Sequence, residues 1–163
     1  MTRALLDTIV QWEQELFRTT DVVHQYVFEK TGFCNVFVYD DDELVSFLTT
    51  LKREALFDDQ RVLLGGISGV MTPPQHQRKG YAGLALREAK RLIFEEMGSD
   101  LGALLCIDAL VPFYVRYGWQ AVTCPVEMAQ LGGKVLWPAR MMILPRGEEQ
   151  WHPQKIDLCG LPW

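Results

Sequence analysis

What this sequence lacks narrows its class before any motif is read. No apolar run approaches the roughly 18 residues that a membrane-spanning helix needs, so no membrane partner is expected. No C-x-x-C pair occurs. Cys34, Cys106, Cys124 and Cys159 are scattered among mostly apolar neighbours, which points to reduced, packed thiols rather than a zinc site. His24, His76 and His152 are equally scattered; no motif joins them, and no metal is expected. The opening stretch MTRALLDTIVQWEQEL carries acids inside its apolar pattern, unlike a secretory signal, so the expected location is cytoplasmic. Excess positive charge is also missing. A net charge of -5 argues against nucleic acid as a partner and suits a cationic substrate.

What is present is ordinary for a soluble domain: 163 residues, 48% of them hydrophobic and 23% charged. That is one domain's length, with material for a real core, so a single domain over 1–163 is expected. Apolar residues at three- and four-residue spacing (Leu5, Leu6, Ile9, Val10, Leu16, Phe17) predict helix over 3–30, broken at Thr19–Thr20 and closed by Gly32. FCNVFVY (33–39) predicts a strand and Asp40–Glu43 a solvated hairpin turn. Leu44–Phe57 alternates as a long strand. Arg61–Met71 predicts the next strand, although Gly65, Gly66 and Gly69 are unusual inside one. Such glycines mark a bulge, the close approach of a ligand or another backbone, or a tightly packed helix crossing.

Tyr81–Met97 carries an apolar stripe of helical period ended by Gly98. LGALLCIDAL (101–110) predicts a buried strand, and 111–118 a short helix begun at Pro112 and stopped by Gly118. Strands are predicted over 119–124 and 139–144, with PVEMAQLGGKVLWP between them as loop. The tail has no clear period but ends on apolar residues including Trp163. Helices, a strand meander, then strand-helix-strand-helix-strand give an α/β chain: a mixed sheet with helices on both faces.

The stretch PPQHQRKGYAGLALREAKRL (73–92) is where chemistry concentrates. A strand runs into a basic, Gly-containing loop that opens directly into a helix. The first peptide N–H groups of a helix lack internal partners, the helix dipole adds partial positive charge there, and successive loop amides can form a concave nest. These features make an anion site, with phosphate its usual occupant. The loop is neither G-x-x-x-x-G-K-[ST] nor G-x-G-x-x-G. It fits [QR]-x-x-G-x-[GA], with Gln77, Gly80 and Ala82 at the fixed positions.

That pattern, followed by an apolar strand and Y-x-x-x-G-W, resembles the GCN5-related N-acetyltransferase (GNAT) superfamily over roughly Phe33 to Leu144. GVMTPPQHQRKGYA resembles its pyrophosphate loop, and LLCIDALVPFYVRYGW its next strand and helix. The tail IDLCGLPW resembles the subset related to aminoglycoside 2'-N-acetyltransferases. The resemblance implies a mostly antiparallel sheet splayed between the strand ending at Met71 and the one beginning near Gly102, with acetyl-CoA as co-substrate in the opening. Pantetheine would pair with backbone at Val70, Met71 and Thr72. The pyrophosphate would sit on N–H groups of Gln77, Arg78, Lys79, Gly80, Tyr81 and Ala82.

The implied reaction moves an acetyl group to a primary amine of a small molecule, an amino sugar or another amine, by direct attack in a ternary complex. Tyr114 matches the family's general acid; by spacing alone it equally fits a packed aromatic beside Phe113, Tyr117 and Trp119. The acids that such relatives place on the fourth strand and near the chain's end fall here on Ser68 and Leu161, neither of them a base. The C-terminal carboxylate of Trp163 is the remaining candidate base, alongside a tail merely docked on the core; Asp108 and Glu127 are further acids for the cleft. The family's usual first strand is not evident, which leaves open its replacement by a partner chain in a homodimer. Three other readings stay open: a peptide N-terminal acetyltransferase, a catalytically weak acyl-CoA-binding or regulatory module, and an interaction protein using its sheet edge.

Overall fold

A computed structural model describes residues 2–18 and 25–163. Helix α1 (Arg3–Phe17) starts where the Thr2 hydroxyl accepts the Leu5 N–H at 3.4 Å. It buries Ile9 and Trp12 against Phe47 and Met71. The predicted break at Thr19–Thr20 lies outside the described residues. The helix predicted up to residue 30 is not found: 27–30 is irregular. The Val27 N–H donates to Gln130 Oε1 at 2.9 Å and the Val27 carbonyl accepts from Gln130 Nε2 at 3.0 Å. A distant side-chain amide satisfies this backbone, and tertiary pairing overrides the local period.

Strands β1 (Cys34–Asp40) and β2 (Glu43–Phe57) form the predicted hairpin, and β3 (Gln60–Met71) pairs antiparallel with β2. Along β2, Phe47 faces α1 while Leu48 enters the cluster under α2 (Tyr81–Arg91). Successive strand residues point to opposite sides, so α1 and α2 cover opposite faces of the sheet. Helix α2 widens into a π-helical turn over Leu92–Glu96, and Gly98 at φ 62° ends it.

Gly65 and Gly66 occupy those two faces. A Cβ on Gly65 would stand 2.6 Å from Ile93 Cγ2, and one on Gly66 2.9 Å from Trp163 Cε2. Close packing explains both glycines. Gly69 differs: it sits at φ 58° with open space in front of it, where the β2–β3 register slips by one residue.

β4 (Leu101–Cys106) runs parallel to β3 and stops short of the predicted residue 110, because Asp108–Leu110 coils into a 3₁₀ turn ahead of α3 (Val111–Val115). β5 is only Gln120–Ala121. The predicted loop after it is instead a hairpin of β6 (Val126–Gln130) and β7 (Gly133–Leu136). Val126 and Met128 are buried, whereas every residue of β7 is exposed, so β7 has no alternation to read. β8 (Arg140–Pro145) and β9 (Ile156–Asp157) complete a nine-stranded sheet ordered β5-β8-β4-β3-β2-β9-β6-β7, with β1 also on β2. Only β3–β4 and β6–β9 are parallel. This is the expected mostly antiparallel mixed sheet with helices on both faces. No strand precedes α1 among the described residues, and no described helix is long and apolar enough to cross a membrane.

Candidate active site

The parallel pairing of β3 with β4 runs from Leu64–Leu101 to Ile67–Leu104 and ends there. Both strands continue, so they part beyond Ile67 and Leu104. The bulge on β3 also removes Gly69 and Val70 from the β2 ladder, since Phe47 pairs with Met71 and Thr49 with Ser68. Gly69 and Val70 therefore lack a strand partner on either edge, and an extended ligand can pair there without displacing a strand. Met71 and Thr72 are held from behind: the buried Ser46 hydroxyl donates to the Met71 carbonyl at 3.0 Å and lies 2.9 Å from Thr72 Oγ1.

The loop that follows is shaped by left-handed backbone at Arg78 (φ 63°) and at Gly80 (φ 91°), the latter forming the N-cap of α2. Only glycine adopts that conformation without cost, and no atom lies within 4 Å of where its Cβ would be. The Gln77 N–H is committed to the Pro74 carbonyl at 3.3 Å, and its side chain donates to the Thr72 carbonyl at 2.9 Å. Gln77 thus builds the turn with both its N–H and its side chain. From Arg78 to Gly83 no backbone N–H has a partner among the described residues; the first internal bond is Leu84 N–H to the Gly80 carbonyl. Unpaired amides converging on open space at a helix N-terminus fit an oxyanion-rich group such as a pyrophosphate.

Two tethers that the sequence reading missed fix this loop to the β1–β2 turn. His76 Nε2 lies 3.1 Å from Glu43 Oε1, and the Tyr81 hydroxyl donates to Asp40. The turn read as merely solvated therefore anchors the anion loop. Both contacts span more than thirty positions, beyond any local signal.

Tyr114 is buried on the α2 side beside Phe113 (ring centroids 5.0 Å apart) and Trp119 (6.3 Å). No hydrogen bond to its hydroxyl occurs among the described residues. Burial, and secondarily Cys106, raises its pKa, so the phenol keeps its proton. Burial likewise pushes the Cys106 thiol up to about 11. Trp163 reaches β3 from the opposite face: its buried indole Nε1 donates to the Ile67 carbonyl at 3.1 Å, on the last β3 residue paired with β4. Asp108 pairs with Arg140, and Glu127 with Lys155 at 2.9 Å. Ser68 is half-buried opposite Thr49. No group of three metal-ligating side chains occurs among the described residues.

The profile of the acetyltransferase (GNAT) domain family matches residues 4–122. The chain belongs to that family. Its fold is similar to ElaA from Escherichia coli (TM-score 0.60, 16% identity, 88% of this chain and 92% of that one). It is also similar to a GNAT family acetyltransferase from Brucella melitensis, in complex with acetyl-CoA (TM-score 0.58, 14% identity, 94% and 89%). A GCN5-related N-acetyltransferase from Kribbella flavida matches at TM-score 0.57 and 19% identity; 74% of this chain spans only 32% of that longer one. At these identities the likeness concerns the fold. No curated protein sequence matches the chain.

Proposed function

We propose that this protein transfers the acetyl group of acetyl-CoA to a primary amine of a small molecule, an amino sugar of the aminoglycoside kind or another amine, by direct attack within a ternary complex. One observation carries the reading. The unpartnered amides of Arg78–Gly83 open beside a β3 end whose Gly69 and Val70 have no strand partner. A nest for a diphosphate thus adjoins an edge for an amide-bearing arm, the two features that coenzyme A carries. The acetyl-CoA bound to the Brucella melitensis neighbour supports the assignment.

Bound acetyl-CoA supplies an activated thioester; the amine nitrogen bonds to its carbonyl carbon and the carbon–sulfur bond breaks. The amine loses one proton and the sulfur gains one. In this reading the Tyr114 hydroxyl, a phenol whose proton is held more firmly still by burial, delivers it to sulfur and recovers one released by the amine. Arg78 and Lys79 raise the positive potential around the diphosphate, and Ser46 fixes the Met71–Thr72 segment. Calorimetric titration with acetyl-CoA is the test. Saturable binding is expected, weakened by salt; absence of binding at millimolar ligand overturns the assignment.

A further inference from the structure

The charges on α2 are segregated. Arg91 takes every acid of the helix and its π-helical turn: Glu88 at 2.9 Å, Glu95 at 3.7 Å and Glu96 at 2.9 Å. Arg78, Lys79, Arg87 and Lys90 are exposed, and none of them has an ion-pair partner among the described residues. In a chain of net charge -5 this is an uncompensated cationic strip. Arg78 and Lys79 belong to the nest already described. Arg87 and Lys90 do not, since they lie about two and three turns further along α2.

Gly83, Arg87 and Lys90 follow one another at i, i+4 and i+7, so they share one face of the helix. That face meets Tyr117, which follows α3. The Tyr117 hydroxyl occupies the space that a Cβ on Gly83 would fill. Its ring lines a shallow notch with Leu86, Arg87 and Lys90. Tyr117 therefore joins the last free amide of the nest to the two cations. Helical side chains lean toward the N-terminus of their helix, which carries the Arg87 guanidinium back toward Gly83. The surface from the nest across Tyr117 to Arg87 is continuous and presents hydrogen-bond donors along its length.

A diphosphate on the nest has two ends to place. The pantetheine arm runs to Gly69 and Val70. The other end of coenzyme A is an adenosine whose ribose carries a phosphate at its 3′ position, one sugar away from the diphosphate. We infer that Arg87, with Lys90 beside it, holds this 3′-phosphate, with the Tyr117 hydroxyl on the path between the two anionic groups. A guanidinium fork suits phosphate oxygens, and the acids of α2 do not oppose it because Arg91 neutralises them. This inference rests on the proposed binding of acetyl-CoA and deepens it. It makes Arg87 the residue that selects coenzyme A over donors without a 3′-phosphate, such as dephospho-coenzyme A or the phosphopantetheine of a carrier protein.

Calorimetry compares acetyl-CoA with acetyl-dephospho-CoA, which differ only in that phosphate. Wild type should bind acetyl-CoA about tenfold more tightly, the worth of a charge-assisted contact discounted for its exposure to solvent. Arg87→Met should erase the difference by weakening acetyl-CoA about tenfold while leaving acetyl-dephospho-CoA unmoved. Arg87→Lys should keep part of it. Arg91→Met, on the neutralised side of the helix, should keep the wild-type ratio. A second readout needs no variant: adenosine 3′,5′-bisphosphate should displace acetyl-CoA from wild type at lower concentration than adenosine 5′-monophosphate. Equal affinities of wild type for the two thioesters, equal displacement by the two nucleotides, or an Arg87→Met that weakens both thioesters alike overturns the inference while acetyl-CoA binding stands. Absence of binding by either thioester overturns the acetyl-CoA reading and this inference with it.

Discussion

On the α2 face the candidate site is made of main-chain N–H groups from Arg78 to Gly83; on the other face a cleft of about 290 Å³ is walled by side chains, Val126, Trp137 and Met141 among them. The first kind of recognition depends on backbone conformation and little on residue identity beyond Gly80. The second changes with a single substitution. The family match ends at residue 122, so the proposed donor site lies inside the matched region and almost all of the cleft wall lies beyond it.

Four substitutions test that division, taken here from the largest effect downward. Tyr114→Phe should lower kcat by about 10²–10⁴-fold, the usual contribution of a positioned acid; calorimetry should find acetyl-CoA affinity unchanged, and undiminished kcat would leave Tyr114 as packing alone. Trp163→Ala empties a buried site and strands the Ile67 carbonyl. Urea unfolding should show a loss of about 3–5 kcal/mol, and a loss well under that would mean that the tail is only loosely docked. Gly65→Ala and Gly66→Ala both overpack, at about 1–3 kcal/mol each. The former pushes on Ile93 and should also weaken acetyl-CoA binding, whereas the latter pushes on Leu51 and Trp163 and should spare it. Equal effects on binding would erase the distinction between faces.

The smallest effect concerns Asp157. Burial pushes its carboxyl up, but hydrogen bonds from Lys134 and the Cys159 N–H, with the charges of Lys134 and Lys155, more than offset this and hold it below the usual carboxylate range. A pKa lowered by folding stabilises the native state above the unfolded value, and that contribution disappears as pH falls through the folded one. The urea midpoint should drop in acid below the ordinary aspartate range, and Asp157→Asn should flatten that part of the profile.

The half that carries the proposed donor site was readable in outline because its signals are local. Alternation gave β2 and β3, a helical stripe gave α2, and Gly80 marked the left-handed turn that opens it. Even there, Gln77 turned its N–H inward to Pro74, a detail of loop geometry that composition does not carry. The far half resisted because its determinants are remote in the chain. β7 is exposed throughout and shows no period; residues 27–30 follow a path set by Gln130; Arg140 and Asp108 meet only once β8 lies on β4. The sequence singled out Tyr114 but did not show its burial against Phe113 and Trp119, or that its hydroxyl has no partner among the described residues.

β9 is two residues long, yet Ile156 and Asp157 bridge β2 on one side and β6 on the other. In the strand ladder, among the described residues, the β6–β7 hairpin joins β2 through that short strand. The exposed stretch 146–150 leads into it, so a protease nick there would free the strand while the nest at Gly80 stayed whole. Such a clipped molecule would keep the loop proposed to hold its donor while the wall of the far cleft came loose.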